Sequence, residues 1–250
     1  LLIEDEPYEA HEVVRKARAL AQKGSNTDLV AALSEEKVLR ALGRNGDADS
    51  LLKQIASVGG IGSGDEALAR LIQRAWNRDD YDEALSQMRQ LRSRLPKSPL
   101  IVGMEQLEGA VYDAKKLPSE AALIFARVAK NADTPQARAK ALRSLGWVEY
   151  RQRHYANAAK AFFQGSVQAA NAVDLLYKAP GGANPRLSQR ELRDILDERY
   201  HHLFWLGSSL AKLTEAERAE LGIKVSDPKT VFAEIVDLAP RQYYGLLAAK

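Results

Sequence analysis

Residues Leu142 to Phe163 read LRSLGWVEYRQRHYANAAKAFF. Leu142, Leu145 and Gly146 fall at i, i+3 and i+4, and Tyr155, Ala158, Ala159 and Phe162 fall at i, i+3, i+4 and i+7, so each half carries one face of a helix. The halves meet at Arg153-His154, a junction too short for anything but an antiparallel helical hairpin. Gly146 and Ala158, small residues facing Tyr155 and Phe162, would let the two backbones approach closely. Such a hairpin buries one face internally and leaves another for a neighbour.

Upstream the same pattern recurs. One unit carries Leu71, Ile72, Trp76, Tyr81, Ala84, Met88 and Pro96, and a second carries Gly109, Tyr112, Pro118, Ala121 and Phe125. Ala84, Ala121 and Ala158 are spaced by 37 and 37 residues, and Met88, Phe125 and Phe162 by the same intervals. Two columns repeating together argue for an internal repeat. Residues 65–178 therefore read as three repeat hairpins.

Before them, residues 1–58 read as N-terminal helical hairpins. Pro7 suits a first helical turn, a stripe including Val13, Val14 and Ala17 follows, and Gly24 stops it. A second helix runs from about Asp28 to Leu42, and a shorter one ends near Val58. Residues 59–64, GGIGSG, form the strongest glycine cluster and could cradle a phosphate ahead of a helix. Three features oppose that: the cluster follows a helix instead of a strand, Asp65 stands where a third glycine is needed, and no Lys-Ser or Lys-Thr follows. A flexible Gly-rich linker between hairpins is the reading that remains.

After the third unit the helix should continue to Lys178 and break at Pro180 to Pro185, with 179–188 a loop. Ser188 and Glu191 have the spacing of a capping box. Residues 189–250 then read as a C-terminal helical hairpin with an insertion at 214–228 and the start of a further helix at Tyr243. No strand pattern occurs anywhere. The expected fold is all-α, a right-handed α-solenoid of antiparallel helix hairpins.

Composition restricts the chemistry. The 250 residues carry 36 Lys and Arg against 33 Asp and Glu, a net charge of +3 with the basic residues dispersed, which argues against nucleic acid as a partner. Cysteine is absent, so disulfides, thiolate catalysis and cysteine zinc sites are excluded. No apolar run approaches the roughly 20 residues of a membrane span. The sequence starts at Leu1 instead of Met, as expected of a processed or trimmed product. His201-His202 is the one histidine pair, but neighbours on a helix point about 100° apart and cannot close on one metal, so surface or interface histidines are expected. Acidic pairs such as Glu35-Glu36, Asp79-Asp80 and Asp197-Glu198 read as solvated helix faces and turns. No catalytic residues, metal or cofactor are indicated.

The repeat residues resemble the tetratricopeptide repeat. Leu142, Leu145, Gly146, Tyr155, Ala158 and Phe162 match its pattern, Tyr150 stands one place after the usual tyrosine, and Pro96 closes the unit containing Trp76. The 37-residue period exceeds the common value of about 34, which fits longer turns between repeats. Over about the last 110 residues, the order SLGWVEYRQRHYANAAKAFF (144–163), HLFWLGSSLAKL (202–213) and FAEIVDLAPRQYYGLLAAK (232–250) resembles the helical superhelix that precedes the catalytic domain in soluble lytic transglycosylases. The resemblance implies a periplasmic, cell-envelope protein acting near peptidoglycan, although composition leaves the compartment open. Those enzymes use a catalytic Glu-Ser pair and a later Gly-Leu-Met-Gln run, and neither occurs here. The implied role is a noncatalytic scaffold that positions peptidoglycan glycan or a partner. The alternative is a free-standing adaptor holding a protein segment in its groove.

In the tetratricopeptide pattern the first helix of each hairpin lines the concave surface. Its exposed positions here are Gln73, Trp76, Asn77, Gln106, Lys140, Arg143, Trp147, Tyr150, Arg151, His201 and Phe204. Aromatic rings beside Arg and Lys suit stacking on sugars or gripping an extended peptide. Trp76, Trp147 and Phe204 could equally pack between neighbouring helices.

Overall fold

A computed structural model of the chain describes residues 6–177 and 189–249. Among the described residues the structure is helical, with thirteen helices and no strand. The chain forms two compact units, Leu1–Val111 and Tyr112–Lys250. The boundary between them falls inside one helix and within the second of the three 37-residue repeats read from the sequence.

The first unit holds α1 (Pro7–Leu20), α2 (Asn26–Ala41), α3 (Asn45–Val58), α4 (Gly64–Asn77), α5 (Tyr81–Arg94) and most of α6 (Ile101–Ala114). Pro7 starts α1 where no amide donor is needed, and Ser25 accepts from the Asp28 amide to begin α2. Successive helices from α1 to α5 pack on one another. Leu52, Ile55, Leu68 and Ile72, apolar at helical spacing, are buried where α3 and α4 contribute to the core.

A single turn geometry joins the two helices within each of four hairpins. Gly43, Asp79, Lys116 and Arg153 all have positive φ, at 73°, 57°, 61° and 64°. At each, the next residue donates its amide five positions back: Arg44 to Leu39, Asp80 to Ala75, Leu117 to Tyr112 and His154 to Glu149, over 2.8 to 3.0 Å. The left-handed residue itself donates three positions back, as Lys116 does to the Asp113 carbonyl. This paired closure satisfies the last carbonyls of one helix and reverses the chain into the next. Three of the four turns adopt a left-handed backbone without glycine, which side chains ordinarily disfavour.

The last three turns stand 37 residues apart, the interval of the Ala and Met/Phe columns, and all six column residues are buried. The register also extends one hairpin further upstream than the sequence columns suggested. Gly43 lies 36 residues before Asp79, and Ala48 and Leu52 are buried 36 before Ala84 and Met88. α2 and α3 thus form a fourth hairpin of the same kind.

The glycine cluster expected as a flexible linker is a fastened turn. Asp65 is buried, its Oδ1 accepting from the Gly62 amide at 2.7 Å and the Glu66 amide at 2.9 Å, while Ser98 Oγ donates to Oδ2 at 2.7 Å. Gly59 and Gly64 lie so close that a β-carbon on Gly64 would fall 2.2 Å from the Gly59 carbonyl oxygen. The residue that spoils the phosphate-loop spacing thus supplies its own anion to the turn amides at the start of α4.

The second unit continues with α7 (Pro118–Asn131), α8 (Pro135–Arg151), α9 (Tyr155–Tyr177), α10 (Gln189–Leu210), α11 (Glu215–Ala219), α12 (Pro228–Leu238) and α13 (Tyr243–Ala248). α8 packs on α7 and α9, α9 on α10, and α12 on both α10 and α13. Phe162, Leu203, Leu206, Leu210, Val231 and Ile235 form its main core. Gly146 receives the Phe162 ring, as the opening stretch suggested: a β-carbon there would stand 2.6 Å from the ring. The same device recurs where Gly207 meets Phe232. The 214–228 insertion contains α11, held by a capping box between Thr214 and Glu217. The expected break at Pro180 to Pro185 and the Ser188 cap lie outside the described residues.

Candidate functional site

The positions chosen from sequence separate into distinct settings. In the first unit, Gln73 and Asn77 are exposed on α4 and bonded to one another at 3.1 Å, while Trp76 lies 5.8 Å from the Tyr81 ring beyond the turn. Gln106 is half-buried on α6. In the second unit, Arg151 reaches Asp113 at 2.6 Å. Lys140 is exposed at the rim of a cavity of about 280 Å³ between α8, α9 and α10, whose wall includes Asp194 and Glu198.

Arg143, Trp147, Tyr150, His201 and Phe204 are brought together. The first three lie on one face of α8 and the last two on α10, the following long helix, and these two helices touch. Trp147 and Trp205 have ring centroids 4.2 Å apart, Tyr150 packs edge-on against Trp205 at 5.2 Å, and His201 and Phe204 both contact Tyr244 of α13. The rings form a continuous, half-buried ledge, so Trp147 and Phe204 do pack between helices while part of their surface stays open.

Under the ledge lies a polar cluster. Arg143 donates to Glu198 at 2.8 Å, yet 41% of the arginine side chain remains exposed. Glu198, grouped in the sequence with solvated acidic faces, is instead largely buried because α10 turns it toward α8. Burial alone would raise its pKa, but His202 and Arg143 outweigh that and hold it below the ordinary 4.5. His202, expected as a surface or interface residue, is fully buried. Its Nε2 faces the Ala139 carbonyl at 3.1 Å and Glu198 at 3.4 Å, so Nε2 carries a proton and donates it. His201 Nδ1 bonds the Tyr244 hydroxyl at 2.7 Å, and its pKa falls from 6.5 to about 4, first through burial and then through His202 and Arg143, with Glu198 opposing.

The two histidine rings are nearly perpendicular, 6.0 Å apart, and engage different partners. Among the described residues no group of three or more metal-binding side chains converges. The arrangement can present aromatic faces with a partly open guanidinium beside them. Glu198, His202, Trp205 and Tyr244 were missed by reading exposed first-helix positions alone. The i, i+4 pairs Glu198/His202 and His201/Trp205 were the available signal. No family model matches the chain, and no curated protein matches it.

Proposed function

We propose that this chain is a noncatalytic α-solenoid of tetratricopeptide-like hairpins that serves as a scaffold in the cell envelope, holding peptidoglycan glycan on the ledge formed by α8, α10 and α13. The reading rests on its resemblance to the superhelix of soluble lytic transglycosylases. It is supported by one observation above all: Trp147, Tyr150, Trp205, His201 and Phe204 make a half-open aromatic surface beside the partly exposed Arg143. Aromatic faces stack on the apolar faces of sugar rings, and a guanidinium can bond their hydroxyl, amide and carboxylate oxygens. The recurring left-handed turn supports the repeat architecture. The carboxylate of the cluster, Glu198, is paired with Arg143, consistent with a binding role.

Co-sedimentation with purified peptidoglycan tests it. The wild type should pellet with the polymer, and Arg143→Ala and Trp147→Ala should each lower the retained fraction about tenfold, with Trp147→Phe retaining most binding. Absence of wild-type retention, or retention unchanged in both alanine variants that keep wild-type circular dichroism, rejects the proposal.

A further inference from the structure

A second surface of the Tyr112–Lys250 unit lies away from the ledge residues, in a furrow between α7 and α9 floored by α8. Two hollows of about 530 and 610 Å³ run into one another, sharing Ala126, Leu145 and Gln164 in their walls. The floor comes from α8 at positions 138, 142, 145 and 149 and from Gln152 just past its end, alternating four and three residues apart, the stripe a helix offers to a helix lying along it. On α7 the wall runs from Ser119 to Lys130 and on α9 from Asn157 to Gln168. Each wall is about three helical turns, roughly 16 Å, in length. Three helices with parallel stripes around one furrow leave the place of a fourth.

The furrow is apolar along its middle and cationic at its ends. Leu145, Leu142 and Phe163 line it, Leu123 on one lip is 72% exposed and Val167 on the other 41%. Large apolar side chains left this open beside an apolar channel mark a contact surface. Lys130 and Arg138 stand at one end and Lys160 toward the other. Among the described residues Lys130 and Lys160 are exposed and form no ion pair, and Arg138 spends its Nε on the Ala132 carbonyl. The acid in the furrow wall, Glu149, is engaged by His154 at 2.9 Å and Asn157 at 3.4 Å. The lining thus sets three cations against one carboxylate, and small side chains at Ala122, Ala126 and Ala161 leave room for a backbone to come close.

We infer that this furrow docks an amphipathic helix of a partner protein, about three turns long, with leucine-like residues on one face and acidic residues at its margins. Apolar anchors at i, i+3, i+4 and i+7 would fill the channel, and the acids would meet Lys130, Arg138 and Lys160. The inference does not depend on the glycan reading, which uses other faces of the unit.

The test uses the whole chain and a fluorescent synthetic helix of about sixteen residues with leucines at that spacing and flanking glutamates. Fluorescence anisotropy should show saturable binding, and the same peptide with lysines replacing the glutamates should bind at least about tenfold more weakly. The double substitution Lys130→Glu, Lys160→Glu should reverse that preference. Leu123→Asp, on an exposed site, should weaken both peptides while leaving the helical circular dichroism and peptidoglycan retention unchanged. Equal affinity for the two peptides, or a preference unmoved by charge reversal, overturns the proposal. So does a concentration-dependent dimer in sedimentation that Leu123→Asp abolishes, since the furrow would then hold a second copy of this chain.

Discussion

His202 of α10 is seated directly on Gly165 of α9: a β-carbon at position 165 would lie 2.1 Å from the imidazole Cε1 and 2.4 Å from Nδ1. The ring cannot swing aside without losing the bond from Nε2 to the Ala139 carbonyl of α8, so one glycine sets the spacing of three helices. Gly146 against Phe162 and Gly207 against Phe232 repeat the relationship at neighbouring contacts.

Gly165→Ala should therefore destabilise the protein by about 1–2 kcal/mol, the overpacking cost exceeding the helix-propensity gain. Gly103→Ala, in a helix with nothing within 4 Å of the new methyl, should instead stabilise it by up to about 1 kcal/mol. Urea midpoints of the two variants should move in opposite directions. Equal shifts would show that glycine's role at 165 is not steric.

Glu36 of α2 is buried and receives Arg40, Arg70 and Arg74, so that α2 and α4 are joined through one carboxylate. Burial would raise its pKa, but the hydrogen bonds from Arg70 and Arg40 and the charge of Arg74 prevail and hold it below 4.5. Glu36→Gln keeps the shape and removes the charge, leaving a crowd of guanidinium groups incompletely matched. A loss of about 3–5 kcal/mol is expected in chemical denaturation, against under about 1 kcal/mol for the exposed pair partner substitution Asp47→Asn.

Asp65 should govern the glycine turn. Asp65→Ala strips the acceptor from two amides and from Ser98 and should cost about 2–3 kcal/mol. Hydrogen exchange at Gly62 and Glu66 should accelerate, while the Gly43 turn, closed by its own backbone bonds and by Arg40 donating to Asn45, should exchange as before.

Acid sensitivity should appear in two steps. The folded protein holds His201 near 4 while the unfolded chain titrates at 6.5, so below 6.5 the unfolded state binds more protons. The associated stability is complete above pH 6.5 and declines as the pH falls toward 4, by roughly 3 kcal/mol at most. Below that, Asp28, Glu36, Asp49 and Glu198, all lowered in the fold, lose their contribution as they protonate. His201→Gln should flatten the dependence of the melting temperature between pH 6.5 and 4 and leave the carboxylate step intact. A wild-type melting temperature constant across that interval would contradict the placement of His201.

The local grammar of the molecule was present in the residues. Apolar spacing marked the helices, the 37-residue columns of Ala84, Ala121 and Ala158 picked out buried positions, and Gly146 announced a close approach that Phe162 fills. Such features are legible because helical period and side-chain volume act within a few turns of chain. That the hairpin of α2 and α3 shares the repeat register was harder to see, since its columns hold Ala48 and Leu52 at a 36-residue step and its turn uses Gly43, whereas the later turns use Asp79, Lys116 and Arg153. A left-handed conformation at charged residues has no composition signal; it follows from the pair of hydrogen bonds that closes each helix.

What only the tertiary structure decided was the pairing of side chains far apart in sequence. Arg143 meets Glu198 across 55 residues, His202 reaches the Ala139 carbonyl across 63, and Trp147 finds Trp205 on another helix. A charged or aromatic residue at a helical position looks the same in the sequence whether it faces water or a neighbour. Helix packing supplies the missing partner, and with it the burial and field that lower His201, fix the proton of His202 and leave Arg143 half open beside the rings.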